Sequence, residues 1–360
     1  MRFSDVLDIR NGRNQRQVEN ENGKYPIYGS GGVMGHADDF ICDAETVVIG
    51  RKGSINNPIF VDEPFWNVDT AFGLVAHKEV LLPKYLYYFC VNFDFERLNT
   101  TVTIPSLTKA NLLQIEIRVP DMDIQQNIVS VLDKICYLIE LRQKELYNLD
   151  QLVKSRFIEM FGDVIRNSKA WQMRVFEDVA ASRLGKMLDA KQQTGKYSYP
   201  YLANFNVQWF RFNIENLNQM DFDEDDRAEF ELKDGDLLVC EGGEIGRCAV
   251  WHNEIQPCFF QKALHRVRCN RQIIHPDYLA WWFKYNCDYD GFTAIAGSKA
   301  TIAHLPGIKL KQLQVAVPPI ELQEQFATFV EQTDKSKLAI QKSLEKLEIL
   351  KKSLMQKYFG

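Results

Sequence analysis

The stretch Ile115-Glu116-Ile117-Arg118-Val119-Pro120 leads through Gln125 into a run, Ile124 to Met160, that holds neither proline nor glycine and closes on Phe161-Gly162. The same order returns at one constant offset. Leu313, Val315, Val317 and Pro318 stand for Ile115, Ile117, Val119 and Pro120, Gln323 stands for Gln125, and Phe359-Gly360 stands for Phe161-Gly162. Outward from this junction, Leu82-Pro83-Lys84-Tyr85-Leu86 is echoed by His275-Pro276-Asp277-Tyr278-Leu279. Val47-Val48-Ile49 with Gly53-Ser54-Ile55 is echoed by Leu237-Leu238-Val239 with Gly243-Glu244-Ile245, and Phe3-Ser4-Asp5-Val6 by Phe176-Glu177-Asp178-Val179. The offset grows along the chain, which places small insertions in the second copy's loops. A duplication of this extent decides the architecture: one unit, a strand-rich domain followed by a long helix, is present twice.

Inside the proline-free run, apolar residues recur at steps of four and three: Ile128, Leu132, Ile135, Ile139, then Leu146, Leu149, Val153 and Met160. That is a heptad seam. The second copy repeats it at Phe326, Val330, Ile340, Leu344, Leu347, Leu354 and Tyr358. A helix of about 55 Å with a single apolar stripe needs a partner, and the other copy supplies one. Each helix follows its own domain, so an antiparallel pair puts a globular domain at each end of a rod. The expected fold is α+β: two pseudo-twofold-related domains, 1–121 and 163–319, joined by two long antiparallel coiled-coil helices, 122–162 and 320–360. Polar residues interrupt the seam differently in the two copies, Arg142 and Arg156 in the first and Lys337 and Lys351 in the second. They either fix register or are solvated, and the pattern alone leaves both open.

Each half alternates short β-rich stretches with glycine and proline: Thr46 to Ile49, Pro58 to Val61 and Ile115 to Pro120, then Asp236 to Cys240, Cys248 to Trp251 and Leu313 to Pro318. Short helices are expected at Pro83 to Val91 and Pro276 to Tyr285. The polar loops between them combine glycine, which lets backbone approach a phosphate, with Arg, Lys, Ser and amide side chains that bond phosphates or base edges. From the first half, Lys24, Ser30, Arg51, Lys52, Ser54 and Asn56 are candidate DNA contacts. From the second, Asn204, Asn206, Gln208, Arg211, Glu244 and Arg247 are candidates. Thr101, Thr103, Lys299 and Thr301 precede the shared strand in the two copies and join the set. The competing reading is plain surface turns and half-buried strands.

The chain has 360 residues, 46% apolar and 25% charged, the composition of an ordered globular protein. Its net charge of −5 runs against a uniformly basic nucleic-acid binder, so basic residues would have to be concentrated locally. Part of the acidic excess lies in Asp221-Phe222-Asp223-Glu224-Asp225-Asp226, which could face away from DNA. Eight cysteines without a C-x-x-C pair suggest buried reduced thiols rather than zinc or disulfides. No leader with an apolar core and no membrane-length apolar run is present, and the expected compartment is the cytoplasm.

The duplicated unit, V-P-x-x-x-x-Q at the start of each long helix, the helix end Ser155-Arg156-Phe157-Ile158-Glu159-Met160-Phe161-Gly162 and the loop Ile49-Gly50-Arg51-Lys52-Gly53-Ser54 together resemble the specificity subunit of type I restriction-modification systems. The resemblance spans the whole chain. It implies a non-catalytic protein whose two target-recognition domains read a bipartite sequence on double-stranded DNA. Its helices would dock two modification (methyltransferase) subunits and, for cleavage, restriction subunits. The helix residues Ile128, Leu132, Ile135, Ile139, Leu146, Leu149, Val153, Phe326, Val330, Ile340, Leu344, Leu347 and Leu354 would serve pairing and docking. It also implies that S-adenosylmethionine, ATP and Mg2+ belong to those partners, with no cofactor or metal here. In agreement, Val317-Pro318-Pro319-Ile320 lacks the amide or acid and the aromatic of an adenine clamp. No phosphate-binding lysine loop is found, and Asp234, Asp236 and Glu241 read as turn and strand-edge residues rather than a nuclease centre. A coiled-coil adaptor that joins proteins without touching DNA remains the alternative, and the net negative charge favours it.

Overall fold

The computed structural model describes residues 1–99, 105–189, 193–292 and 304–360. It divides into two compact units, Met1–Glu145 with Ile340–Gly360, and Leu146–Ala339. Each unit therefore holds one globular domain, the first part of that domain's own long helix and the last part of the other one.

In the first unit, four antiparallel strands stand in the order Leu7–Asn11, Ala71–Ala76, Thr46–Gly50, Ile59–Val61. Thr46–Gly50 is buried along its whole length, as its continuous Val-Val-Ile run requires of a strand covered on both faces. Helix Pro83–Asn92 covers one face through Tyr85, Leu86 and Phe89, and a smaller sheet orders Gly32–Ala37, Tyr25–Gly29, Trp66–Asn67. The second unit repeats the plan with Ala180–Leu184, Leu264–Cys269, Leu237–Cys240 and Cys248–Val250, helix Pro276–Asp288, and a smaller sheet of Asn218–Asp221, Ser198–Leu202 and Phe259–Phe260. It adds a hairpin, Val207–Gln208 with Arg211–Phe212, and a helix, Glu224–Phe230.

One expected strand is corrected. In the second unit Gln314–Val317 pairs with Gln172–Val175 over four residues. In the first, Ile115 to Ile117 meets Met1 to Phe3, by Phe3 N–H to Ile115 O at 2.9 Å and Ile117 N–H to Met1 O at 2.9 Å, and forms a bridge instead of a strand.

The long helices run Met122–Phe161 and Ile320–Phe359, 40 residues each, and the left-handed Gly162 (φ 73°) stops the first. Inside each unit the helical segments are antiparallel. In the second unit Asp150 meets Lys337 at 2.8 Å, Arg156 lies over the Phe329 ring, and Phe157 packs on Phe326 with ring centroids 5.5 Å apart, so one helix ascends as the other descends. In the first, Ile139 and Gln143 share a groove with Glu348, Lys351, Lys352 and Met355, while Met355 enters the same core as Ile128 and Leu132. Every seam residue expected from the heptad pattern is buried or half-buried. Phe157 and Phe161, also fully buried, extend the seam into the second unit's core.

Of the seam's polar residues, Lys337 is a paired one: Asp150 of the facing helix and Asp334 of its own hold it, at 2.8 and 3.2 Å. Arg142 and Arg156 bond within their own helix, to Glu145 and Glu159. All eight cysteines are free thiols, and burial pushes Cys42, Cys258, Cys269 and Cys287 up to about 12, which leaves them protonated and inert near neutrality. Among the described residues there is no cluster of potential metal ligands, and no helix is long and apolar enough to cross a membrane.

Candidate nucleic-acid interface

The loop that leaves strand Thr46–Gly50 is held from two sides. Arg51 N–H donates to Thr70 O at 2.7 Å, while Leu107 N–H donates to Arg51 O at 2.9 Å and Gly53 N–H to Pro105 O at 3.1 Å. Ile55 is buried beneath the loop, and Gly53 takes φ 82°, the left-handed turn that carries the chain over it. Gly50 is required by closeness: a Cβ there would lie 2.3 Å from Ser54 O and 3.0 Å from the Cβ of Ser30. The tip of the hairpin at Ser30 and the loop Gly50–Ser54 are thus one surface. Arg51, Lys52 and Ser54 project from it exposed, and among the described residues no carboxylate pairs with Arg51 or Lys52. Arg51 lies over the Phe72 ring at 5.7 Å, which restrains its stem while the guanidinium stays available.

Two first-half candidates fall outside this surface. Lys24 precedes strand Tyr25–Gly29 and Ser30 follows it, so five residues of extended chain separate them. Asn56 donates to Asp94 at 3.0 Å and accepts from Phe95 N–H at 2.7 Å; its amide caps the turn at Phe95–Leu98 and is not free for a base.

In the second unit the matching loop, Cys240 to Arg247, is pinned in the same manner, by Leu305 N–H to Glu241 O and Glu241 N–H to Ala263 O. Its side chains differ in state. Arg247 donates to Asn204 O at 3.1 Å and Asn204 Oδ1 at 3.2 Å and pairs with Glu244 at 3.4 Å. Asn204 donates to Gly242 O at 2.9 Å, and Glu244 accepts the Trp209 indole N–H at 2.6 Å. Asn204, Trp209, Glu244 and Arg247 therefore form one closed network that ties the added hairpin to the loop. Asn206 is corrected from a base-reading candidate to a structural residue: it is 2% exposed and its amide accepts from Ala203 N–H and donates to Asn213 O. Gln208 donates to Phe205 O at 3.0 Å, and Arg211 is exposed at the hairpin's edge beside it. Thr101, Thr103, Lys299 and Thr301 lie outside the described residues.

The acidic run is mixed: Asp221 is buried and Asp226 half-buried, whereas Asp223, Glu224 and Asp225 are exposed. Asp221 accepts from Thr194 N–H and Oγ1–H, from Gly195 N–H at 2.8 Å and from Tyr197 N–H at 3.3 Å; burial works against the charge, but these bonds hold its carboxyl below the usual range. Asp223 caps helix Glu224–Phe230, and Asp226 pairs with Lys186. Asp236 is buried in a two-point pair with Arg268, at 2.7 and 3.1 Å, as a strand-edge residue would be.

The feature that residue types did not signal is the joint behind each loop surface. Gln125 and Gln323, at 0% exposure, stand among buried side chains at the start of the long helices. Gln125 donates to Val80 O (2.9 Å) and Pro120 O (2.8 Å) and accepts from Leu82 N–H (2.9 Å). Gln323 donates to Ile273 O (3.1 Å) and Pro318 O (2.8 Å) and accepts from His275 N–H (2.8 Å). Beside them, the buried phenols of Tyr85 and Tyr278 donate to Arg118 O (3.0 Å) and Ala316 O (2.6 Å). Only their repetition in both copies could have drawn attention to them.

The sequence model of the family described as type I restriction modification DNA specificity domain matches residues 1–151 and 168–351. A Haemophilus influenzae protein named as a type I restriction enzyme specificity subunit is 24% identical over 371 aligned residues, 92% of this chain and 88% of that one. A Methanocaldococcus jannaschii protein named as the MjaX specificity subunit is 26% identical over 52% of this chain and 45% of its own. Among solved structures, the S subunit of a type I restriction-modification system from M. genitalium superposes with a TM-score of 0.67 at 17% identity, covering 100% of this chain and 95% of that one. A second, from work on complex assembly and conformational transition of the type I system, has a TM-score of 0.61 at 14% identity and covers 100% and 96%.

Proposed function

Because the chain belongs to the type I restriction-modification DNA specificity family, a recognition component and not an enzyme, we propose that it reads a bipartite target on double-stranded DNA and scaffolds the catalytic subunits around it. The recognition domains are 1–121 and 163–319, with 122–162 and 320–360 as the helices that space them. The observation that carries this reading is the first unit's loop surface, where exposed Arg51, Lys52 and Ser54 stand on a backbone fixed from two sides, an arrangement suited to phosphate and base-edge contacts. In the second unit Arg211 and Gln208 hold the corresponding role on the added hairpin.

Two modification subunits and, for cleavage, restriction subunits dock on the paired helices, and they bring S-adenosylmethionine, ATP and Mg2+. The compartment is the cytoplasm, where the DNA is. Two observations favour the adaptor reading instead: the second unit's Arg247 is tied up in its own network, and the chain carries a net −5.

The test is modification-sensitive sequencing of genomic DNA from cells expressing the chain with its neighbouring modification subunit. Methylated adenines in one split motif, absent without the chain, are the expected result. No change, with the modification subunit proven active on another specificity chain, would leave the adaptor.

A further inference from the structure

Resting on that reading, we propose that the joint formed by Gln125 with Tyr85, and its repeat formed by Gln323 with Tyr278, is the positioning device that restricts the protein to one spacer length between its half-sites. Each glutamine amide offers one acceptor and two donors, and each is matched to one N–H and two C=O groups of the backbone.

Those groups come from two directions. Val80 and Leu82 precede the helix of the globular domain, as do Ile273 and His275, while Pro120 and Pro318 are the last turn of chain before the long helix. One buried side chain therefore holds domain and helix together, and a swing of one against the other strips the buried amide of its partners. The phenol adds a second point, so rotation about the amide is blocked as well. On its other side the Tyr85 ring meets Phe359 at 5.0 Å, and the Tyr278 ring meets Phe161 at 4.7 Å. The end of the opposite helix is thus seated on the same residue that anchors the start of the domain's own.

The joint recurs although its surroundings changed, with Leu82 replaced by His275 and Arg118 by Ala316. Only backbone atoms are used, so the neighbours could vary without loss of the clamp.

The demand on such a joint follows from DNA geometry. A spacer longer by one base pair moves a half-site by about 3.4 Å and turns it by roughly 35° about the duplex axis. A clamp of four hydrogen bonds per domain, made by side chains that are themselves buried, resists that turn, and a joint of apolar contacts alone would slide.

The experiment is the same sequencing assay with Gln125→Met, Gln323→Met, Tyr85→Phe and Tyr278→Phe. Leu74→Ala serves as a control, since it weakens the core of the first unit without removing a hydrogen bond of the joint. With the joint variants, methylation at sites whose spacer differs by one base pair should rise about tenfold over wild type, the scale of one buried hydrogen bond lost, with both half-site sequences unchanged. Leu74→Ala should lower the yield at the native spacer only. One fixed spacer in every variant, with yields falling as for Leu74→Ala, overturns the proposal. Should the methionine variants fail to accumulate, the phenylalanine variants, which lose a single hydroxyl, give the same answer. Absence of any split motif with the wild-type chain removes the reading itself, and is distinct from a fixed spacer.

Discussion

The loop Gly50–Ser54 of the first unit and the loop Cys240–Arg247 of the second occupy the same place in the same fold and are pinned by equivalent backbone bonds, yet one presents free cations and the other binds its cation internally. Behind them the order is reversed: the joints at Gln125 and Gln323 match bond for bond. The lesson is that duplication preserved what holds the domain and released what faces outward. In the second unit an added hairpin took over the outward face, and Trp209, Glu244, Asn204 and Arg247 became the means of attaching it.

The comparison breaks most visibly at the ends of the helices. Phe161 is fully buried among Phe157, Tyr278 and Phe326, whereas its counterpart Phe359 is half-buried. Phe161→Ala should cost about 3 to 5 kcal/mol in chemical denaturation and Phe359→Ala clearly less, about 1 to 2. Equal losses would mean that the two joints are seated alike.

Acid should separate the units next. Burial, and then Arg271, push His275 down to about 4, and the neutral ring accepts Asp277 N–H. An unfolded histidine titrates near 6.5, so the full stability is present above that value. It is lost as pH falls toward 4, because the unfolded chain takes a proton the folded one refuses. The loss from His275 should reach about 3 kcal/mol, read as faster hydrogen exchange in the second unit, and His275→Leu should remove that share, leaving what His265, also pushed down by burial, contributes. Leu82 occupies the equivalent place in the first unit, which has nothing to titrate there.

The loops themselves give a crossed pair of outcomes. Arg51→Ala should weaken DNA binding by about 1 to 3 kcal/mol and leave the melting temperature unchanged. Arg247→Ala should do the opposite, lowering stability by about 1 to 3 kcal/mol through the partners it strands. A DNA-binding loss on Arg247→Ala without a stability change would place that guanidinium on the DNA after all.

The smallest effect is expected in the seam, where Lys337 stands for Ile139. Its pair with Asp150 is partly solvated, so Lys337→Ile should change the melting midpoint by the equivalent of about 1 kcal/mol or less.

Much of this could be read without coordinates. The heptad seam predicts its buried positions well, since a helix converts a spacing in sequence directly into a face in space. The strands Thr46–Gly50 and Leu237–Cys240 follow equally from short apolar runs that close toward a glycine, Gly50 and Gly242. Prediction failed at Ile115 to Pro120 in the first copy, where the segment meets Met1 to Phe3 through a single bridge and not a ladder. It failed also at Asn56 and Asn206, because an amide reads the same in sequence whether it faces solvent or closes a turn.

What the sequence determined by itself is everything that is periodic or repeated: two copies, two helices of equal length, one seam on each, and the family to which such an order belongs. These are one-dimensional properties, carried by spacing. Only the tertiary structure decided which polar side chains are free, that Arg51 is available and Arg247 is not, and that Gln125 and Gln323 clamp their domains. A side chain's hydrogen-bond partners are contributed by segments remote in sequence, and burial is a property of the packed chain rather than of any residue in it.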